Sequence, residues 1–164
     1  MSEFKIIDNF LHPSDAEKLS EAILCPTFPW TFADKIAGNE EGYSNENIYF
    51  LHTIYDGYRP CSDIWNMMQP FMEFLSPKAL IRAKINMYLP TKDRANHNPH
   101  VDQLYPHYGA LYYINDNDGV TTMHDGTQIE SVANRLVIFD SSLEHSSSSC
   151  TNAQRRVTMN FNYL

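Results

Sequence analysis

The segment "RRVTMNFNYL" (155–164) changes character at almost every step. Val157, Met159, Phe161 and Tyr163 make an apolar set, and Arg156, Thr158, Asn160 and Asn162 a polar one. Neighbouring side chains of a strand point to opposite faces, so the segment reads as a β-strand with one apolar face to be covered. The other face meets either water or a polar interior cavity. "LIRAKINMYL" (80–89) repeats the pattern, with Ile81, Ala83, Ile85, Met87 and Leu89 set against Arg82, Lys84, Asn86 and Tyr88.

Working outward, "GALYYIN" (109–115) and "NRLVIFD" (134–140) also read as strands, so the period is two from residue 80 onward. Before residue 80 it is helical. "HPSDAEKLSEAIL" (12–24) opens with Pro13, Ser14 and Asp15 and carries Ala16, Leu19 and Ile23 on one stripe. "SDIWNMMQPFMEFL" (62–75) has helical spacing at Ile64, Met67, Met68, Phe71 and Leu75, with Pro70 kinking or restarting it. Residues 26–60, rich in aromatics such as Trp30, Phe32, Tyr43, Tyr49, Phe50, Tyr55 and Tyr58, read as short strands and long loops. They either flank a substrate entrance or pack around the core. Helices followed by a strand-rich half imply a mostly β fold with flanking helices, an antiparallel sandwich or jelly roll. A chain of 164 residues suits a single domain over 1–164, with helices and supporting strands in 1–79 and the jelly-roll core in 80–164.

Composition narrows the function. A net charge of −8 gives no general attraction to phosphate backbones or anionic membranes, so no nucleic-acid partner is expected. Nothing approaches the roughly 20 apolar residues that span a bilayer, and "MSEFKIIDNF" lacks a basic-then-apolar leader, so a cytoplasmic location is expected. Cys25, Cys61 and Cys150 are odd in number and widely spaced, which reads as reduced, buried thiols. The run "SSSS" (146–149) reads as a loop, and oligomeric state is not readable.

The chemistry centres on "NPHVDQL" (98–104). Two imidazoles and one carboxylate on one face suit Fe(II) and leave the opposite positions open. His100 and Asp102, two apart, point the same way and supply two such ligands. Alone, the pair reads as a surface loop. The third ligand must come from His107, His124 or His145, and His145 is preferred because it follows "NRLVIFDSSLE" at the mouth of any barrel that strand joins. Beyond it, Arg156 and Thr158 share a face and suit a carboxylate, whereas Arg155 points among the apolar set. His97 and His107 read as loop residues near a substrate entrance. His124 and Asp125 fall on opposite faces of a strand, and His12 and His52 are structural or exposed.

Together, "HVD" (100–102), "LYYIND" (111–116), "NRLVIFDSSLEH" (134–145) and "RRVTMNFNY" (155–163) resemble the 2-oxoglutarate and Fe(II)-dependent oxygenases, specifically the prolyl-4-hydroxylase-like branch. The resemblance covers roughly residues 80–164. It implies a double-stranded β-helix, a cupin-like jelly roll with the N-terminal helices packed on its larger sheet. It implies Fe(II) on His100, Asp102 and His145, and the far carboxylate of 2-oxoglutarate on Arg156, Thr158 and Tyr113, with Tyr112 replacing Tyr113 if the register slips by one. Tyr88 matches the tyrosine near the iron-bound end of the cosubstrate, and Asn86 is a weaker candidate there. Asp140 or Asn134 is expected to orient the ligating imidazoles. The implied activity consumes O2 and releases succinate and carbon dioxide. The carboxylate of Asp102, absent from relatives that halogenate, favours hydroxylation. The substrate is a protein, with peptidyl proline the first candidate, or a free amino acid or other small molecule. Two further readings stay open: a nucleic-acid demethylase of the same superfamily, disfavoured by the acidic balance, and a non-catalytic jelly-roll module holding a sugar or structural metal.

Overall fold

In the computed structural model, which describes residues 4–34, 36 and 48–164, a short strand β1 (Phe4–Ile7) leads into helix α1 (Pro13–Leu24). Proline occupies the first turn of α1, where its missing N–H costs nothing, and the His12 side chain caps the N–H of Ser14. Leu19 and Ile23 are its buried residues. Strands β2 (Thr31–Ala33), β3 (Tyr49–Asp56) and β4 (Arg59–Pro60) occupy the aromatic-rich segment, as its composition implied, while Tyr43 falls outside the described residues. The second helical stretch is broken. The Ser62 hydroxyl caps a 3-10 turn over Asp63–Met67, and α2 (Gln69–Leu75) starts anew with Pro70 in its first turn. A continuous helix would lose the hydrogen bond that Pro70 cannot donate, so the chain restarts.

The strand-rich half contributes β5 (Leu80–Tyr88), β6 (Tyr108–Tyr113), β7 (Asn117–Thr122), β8 (Gln128–Ser131), β9 (Arg135–Asp140), β10 (Ser146–Ser147) and β11 (Arg156–Tyr163). A large antiparallel sheet runs β1-β9-β6-β11-β5-β3-β2, with β4 on β3, and a smaller one runs β10-β7-β8. This is the architecture of a double-stranded β-helix. Four strands were not anticipated. β1 is too short to show a period, and β7 and β8 are too polar for hydrophobic alternation. β10 lies within the serine run read as a loop, and its pairing with β7 is a tertiary event.

The apolar faces of β5 and β11 meet the helices. Ala83, Ile85, Met87, Val157, Met159 and Phe161 form one cluster with Leu19, Ile23 and Phe71. Phe71 of α2 stacks on Phe161 at 5.1 Å and meets the Tyr112 ring edge-on at 5.1 Å. Leu89, assigned to this face, instead lies beyond the end of β5 next to Pro90 and is exposed. A second cluster, Leu111, Tyr113, Met123, Ile129, Val137 and Phe139, joins residues of both sheets. All eight residues of β11 are buried, which decides that its polar face lines an interior cavity. The thiols depart from expectation: all three are free, but only Cys150 is buried and Cys61 is exposed, because it lies beside the β3–β4 turn. No helix among the described residues is long and apolar enough to cross a membrane.

Because Phe71 is fully buried between α2 and β11, Phe71→Ala should lower stability by about 3–5 kcal/mol, read as a reduced urea midpoint with an unchanged m-value.

Candidate active site

β5 and β11 pair antiparallel, and their register sets Tyr88 opposite Arg156, Asn86 opposite Thr158, Lys84 opposite Asn160 and Arg82 opposite Asn162. Every polar residue of one strand therefore faces a polar residue of the other. Lys84, Asn86, Tyr88, Arg156, Thr158 and Asn160 form one wall of a cavity completed by Leu111, Thr121, Phe139, His100, Asp102, His145, Ser146 and Ser147.

His100 and His145 come from distant loops but are locked together by two reciprocal backbone hydrogen bonds of 3.0 Å, an isolated antiparallel bridge. Their rings lie 4.8 Å apart, centroid to centroid. Asp102 reaches both: Oδ1 is 4.0 Å from His100 Nε2, and Oδ2 is 3.8 Å from His145 Nε2. Among the described residues these three form the cluster whose donor atoms, all within 4.8 Å of one another, could hold a metal ion. Donors on one ion at bonds of about 2 Å stand roughly 3–4 Å apart, so small side-chain rotations would close this set on a single ion. The Nδ1–H of His145 donates to the Leu143 carbonyl at 3.0 Å, which turns Nε2 toward Asp102.

The carboxylate is held more firmly than either imidazole. Ser141 Oγ donates to Asp102 Oδ2 at 2.7 Å and Asn162 Nδ2 at 2.8 Å, with Asn160 Nδ2 at 3.4 Å. Behind Asn162, the Arg82 guanidinium donates to its Oδ1 at 3.4 Å and His107 Nε2 faces its Nδ2 at 3.5 Å, which fixes the amide's direction. Burial alone would raise the Asp102 pKa. His145, Ser141, Asn162 and Lys84 outweigh burial and hold it below the usual carboxylate range. For His100, burial and then His145 lower the pKa and favour the neutral ring that a metal requires. The anticipated orienting residues do something else. Asn134 bonds Leu11 and the Tyr112 hydroxyl, and Asp140 accepts from Ser142. Ser141 and Asn162 hold the carboxylate instead. Asn162 stood on the polar face of its strand, and Ser141 is one residue beyond a strand end.

Arg156, 1% exposed, is the largest fully buried side chain. Its Nε donates to Ser131 Oγ at 2.9 Å, Nη1 to the Ser148 carbonyl at 3.3 Å and Nη2 to Thr121 Oγ1 at 2.9 Å. A guanidinium has five N–H donors, so one on each terminal nitrogen is left, a fork shaped for a carboxylate. No acidic side chain pairs with it among the described residues, and a buried charge without a partner is costly enough to call for an anion. The Tyr88 and Tyr113 rings lie 5.6 and 5.8 Å from the guanidinium carbon. Tyr113 donates its hydroxyl to Thr121 at 2.8 Å, whereas Tyr112 packs on the helix side. Arg155 donates to the Leu24 carbonyl at the end of α1 and takes no part in the cavity. Thr121 was missed because its strand carries no readable period.

The two histidines read as loop residues, His97 and His107, do lie in loops, and both are buried. His97 packs its ring 5.1 Å from Tyr88 and bonds Ser147 Oγ at 2.6 Å, and His107 props Asn162. Both occupy the Pro-rich segment between β5 and β6, which gives no pattern from which burial could be read. His124 lies in an exposed turn, not on a strand. His52 is structural, bonding Pro29 and Ser62.

By sequence, the chain matches no protein-family model and no curated protein. By structure it matches a prolyl hydroxylase from Trichoplax adhaerens, in complex with a hypoxia inducible factor oxygen degradation domain peptide fragment. That match has a TM-score of 0.73 and 15% identity, over 99% of this chain and 84% of that one. The viral collagen prolyl hydroxylase from Paramecium Bursaria Chlorella virus-1, as a 2OG complex, matches at TM-score 0.61 and 14% identity, over 99% and 97%. The non-heme alpha ketoglutarate dependent epimerase SnoN from nogalamycin biosynthesis matches at TM-score 0.68 and 13% identity, over 99% and 77%.

Burial, then Arg156 and His100, lower the His97 pKa from 6.5 to about 4. The unfolded chain therefore takes up a proton between these values that the folded chain refuses, and stability falls as pH drops from 6.5 to 4. Compared at pH 7 and pH 4, His97→Gln should lose less stability than the parent, by up to roughly 3 kcal/mol, in urea titrations.

The fold that carries this site is the double-stranded β-helix shared with prolyl hydroxylases and other 2-oxoglutarate/Fe(II) oxygenases.

Proposed function

We propose that the protein is an Fe(II)- and 2-oxoglutarate-dependent dioxygenase that hydroxylates a C–H bond of a protein or small-molecule substrate. The carrying observation is a buried guanidinium without a counter-ion among the described residues, in the same cavity as two imidazoles and a carboxylate that converge. In this reading His100, Asp102 and His145 hold the ferrous ion, and Arg156 takes the distal carboxylate of 2-oxoglutarate on its two remaining N–H groups. Thr158 is a further donor beside that carboxylate, and the Tyr113–Thr121 pair holds Nη2 in line. Tyr88, whose phenol is kept protonated by burial, offers a hydrogen bond to the other end of the keto acid, near Asn86. When bound, the ion supplies the redox chemistry that couples decarboxylation of 2-oxoglutarate by O2, to succinate and carbon dioxide, with insertion of one oxygen atom into the substrate. The chain's own contribution is geometry and a cavity that limits water. The unpaired cysteines, including exposed Cys61, support a cytoplasmic setting.

Titration of the protein with Fe(II) and 2-oxoglutarate under nitrogen should produce a visible charge-transfer band that His100→Ala abolishes. Absence of the band, together with no succinate formed in air, would overturn the reading. Gly119 gives a second handle, because a Cβ there would collide with Arg156 Cδ and lie 2.9 Å from its Nε. Gly119→Ala should therefore displace the guanidinium and weaken 2-oxoglutarate binding by about tenfold or more, read from the same band, on the scale of a charged hydrogen bond.

A further inference from the structure

The end of the cavity away from Arg156 holds a second set of unmet polar groups. Lys84 and its cross-strand neighbour Asn160 sit four residues along β5 and β11 from the Tyr88–Arg156 pair. At about 3.4 Å per residue that is roughly 13 Å, beyond the reach of a five-carbon keto acid anchored on Arg156. Lys84 is half-buried on the cavity wall, and its ammonium makes no ion pair among the described residues. Asp102, the carboxylate that acts on it among the described residues, is committed to Ser141, Asn162, the Arg82 guanidinium and the imidazoles.

Beside Lys84, Asn160 Oδ1 and Asn86 Oδ1 are buried without a hydrogen-bond partner among the described residues, in residues 7% and 6% exposed. Asn160 donates its Nδ2 toward Asp102, so its carbonyl oxygen is turned away from that carboxylate. A buried acceptor without a donor is costly on folding, a cost that a ligand with N–H groups would offset.

We propose that this end of the cavity is the substrate subsite and that it takes a free α-amino acid, with its carboxylate on Lys84 and its ammonium on the Asn160 oxygen. This rests on the oxygenase reading and sharpens it. In that reading the ferrous ion, Asp102, the dianionic keto acid and Arg156 cancel in formal charge and Arg82 also stands 3.7 Å from Asp102, so no anion is left over for Lys84. A proline inside a peptide has no N–H for the amide oxygen and no charge for Lys84, whose ammonium it could meet only with a neutral carbonyl.

The test adds the twenty L-amino acids, pooled and then singly, to the protein with Fe(II) and 2-oxoglutarate under nitrogen. Perturbation of the charge-transfer band is followed, and the same additions are made by calorimetry to the metal-free protein. At least one amino acid should bind, while its N-acetyl amide and an end-blocked peptide with an internal proline should not. Lys84→Met should weaken amino-acid binding by about tenfold or more and Lys84→Arg should largely restore it. Binding of the blocked peptide but of no amino acid, binding of none of the probes, or equal affinity in Lys84→Met would each overturn the proposal. If the parent protein shows no band at all, the oxygenase reading fails, and calorimetry with the blocked and unblocked probes still decides the subsite. If Lys84→Met does not fold, the contrast between free and blocked amino acids on the parent protein decides it.

Discussion

The pairing of β5 with β11 is the constraint from which the rest follows. Both faces of β11 are buried, yet every second residue on it is polar. Such a strand can sit at the centre of a sheet only if its polar face meets a partner equally polar. The register supplies that, setting Arg156, Thr158, Asn160 and Asn162 against Tyr88, Asn86, Lys84 and Arg82. A slip of one residue would turn Arg156 into the Phe71–Phe161 core and bring Val157 into the cavity. The apolar layer packed by α1 and α2 therefore fixes where the guanidinium points, although no helix residue touches the cavity.

The site is expensive for the fold. Among the described residues Arg156 is buried without a counter-ion, and two buried amide oxygens have no partner. Asp102 is the exception, since it is surrounded by donors that more than offset its burial. The molecule thus orients its carboxylate before any ligand arrives and leaves cationic and acceptor groups unmet on either side of it. Unmet buried groups in a single cavity are what a binding site looks like when it is not optimised for stability.

The two imidazoles illustrate how little sequence separation means here. His100 precedes β6 and His145 precedes β10, yet reciprocal backbone bonds make them neighbours. Their approach depends on β9 returning antiparallel beside β6, so that the loop entering β6 and the loop leaving β9 meet at the same rim. Ser141, one residue past β9, arrives at Asp102 by the same geometry.

Much of this was legible in the sequence. Alternation in "RRVTMNFNYL" and "LIRAKINMYL" marked both strands and separated their faces, because a period of two is a local property of extended backbone. The same alternation separated Arg156 from Arg155, and the spacing of His100 and Asp102 put them on one side. Pro70 announced the break between the helical segments, because a missing N–H acts on its own turn. What only the tertiary structure decided were contacts between residues with no local rule joining them. These include Thr121 and Ser131 on Arg156, Ser141 and Asn162 on Asp102, and the burial of His97 and His107 in a segment without periodicity. The choice between water and a cavity for the polar face of β11 also belonged to the second sheet, since a strand carries no record of what covers it.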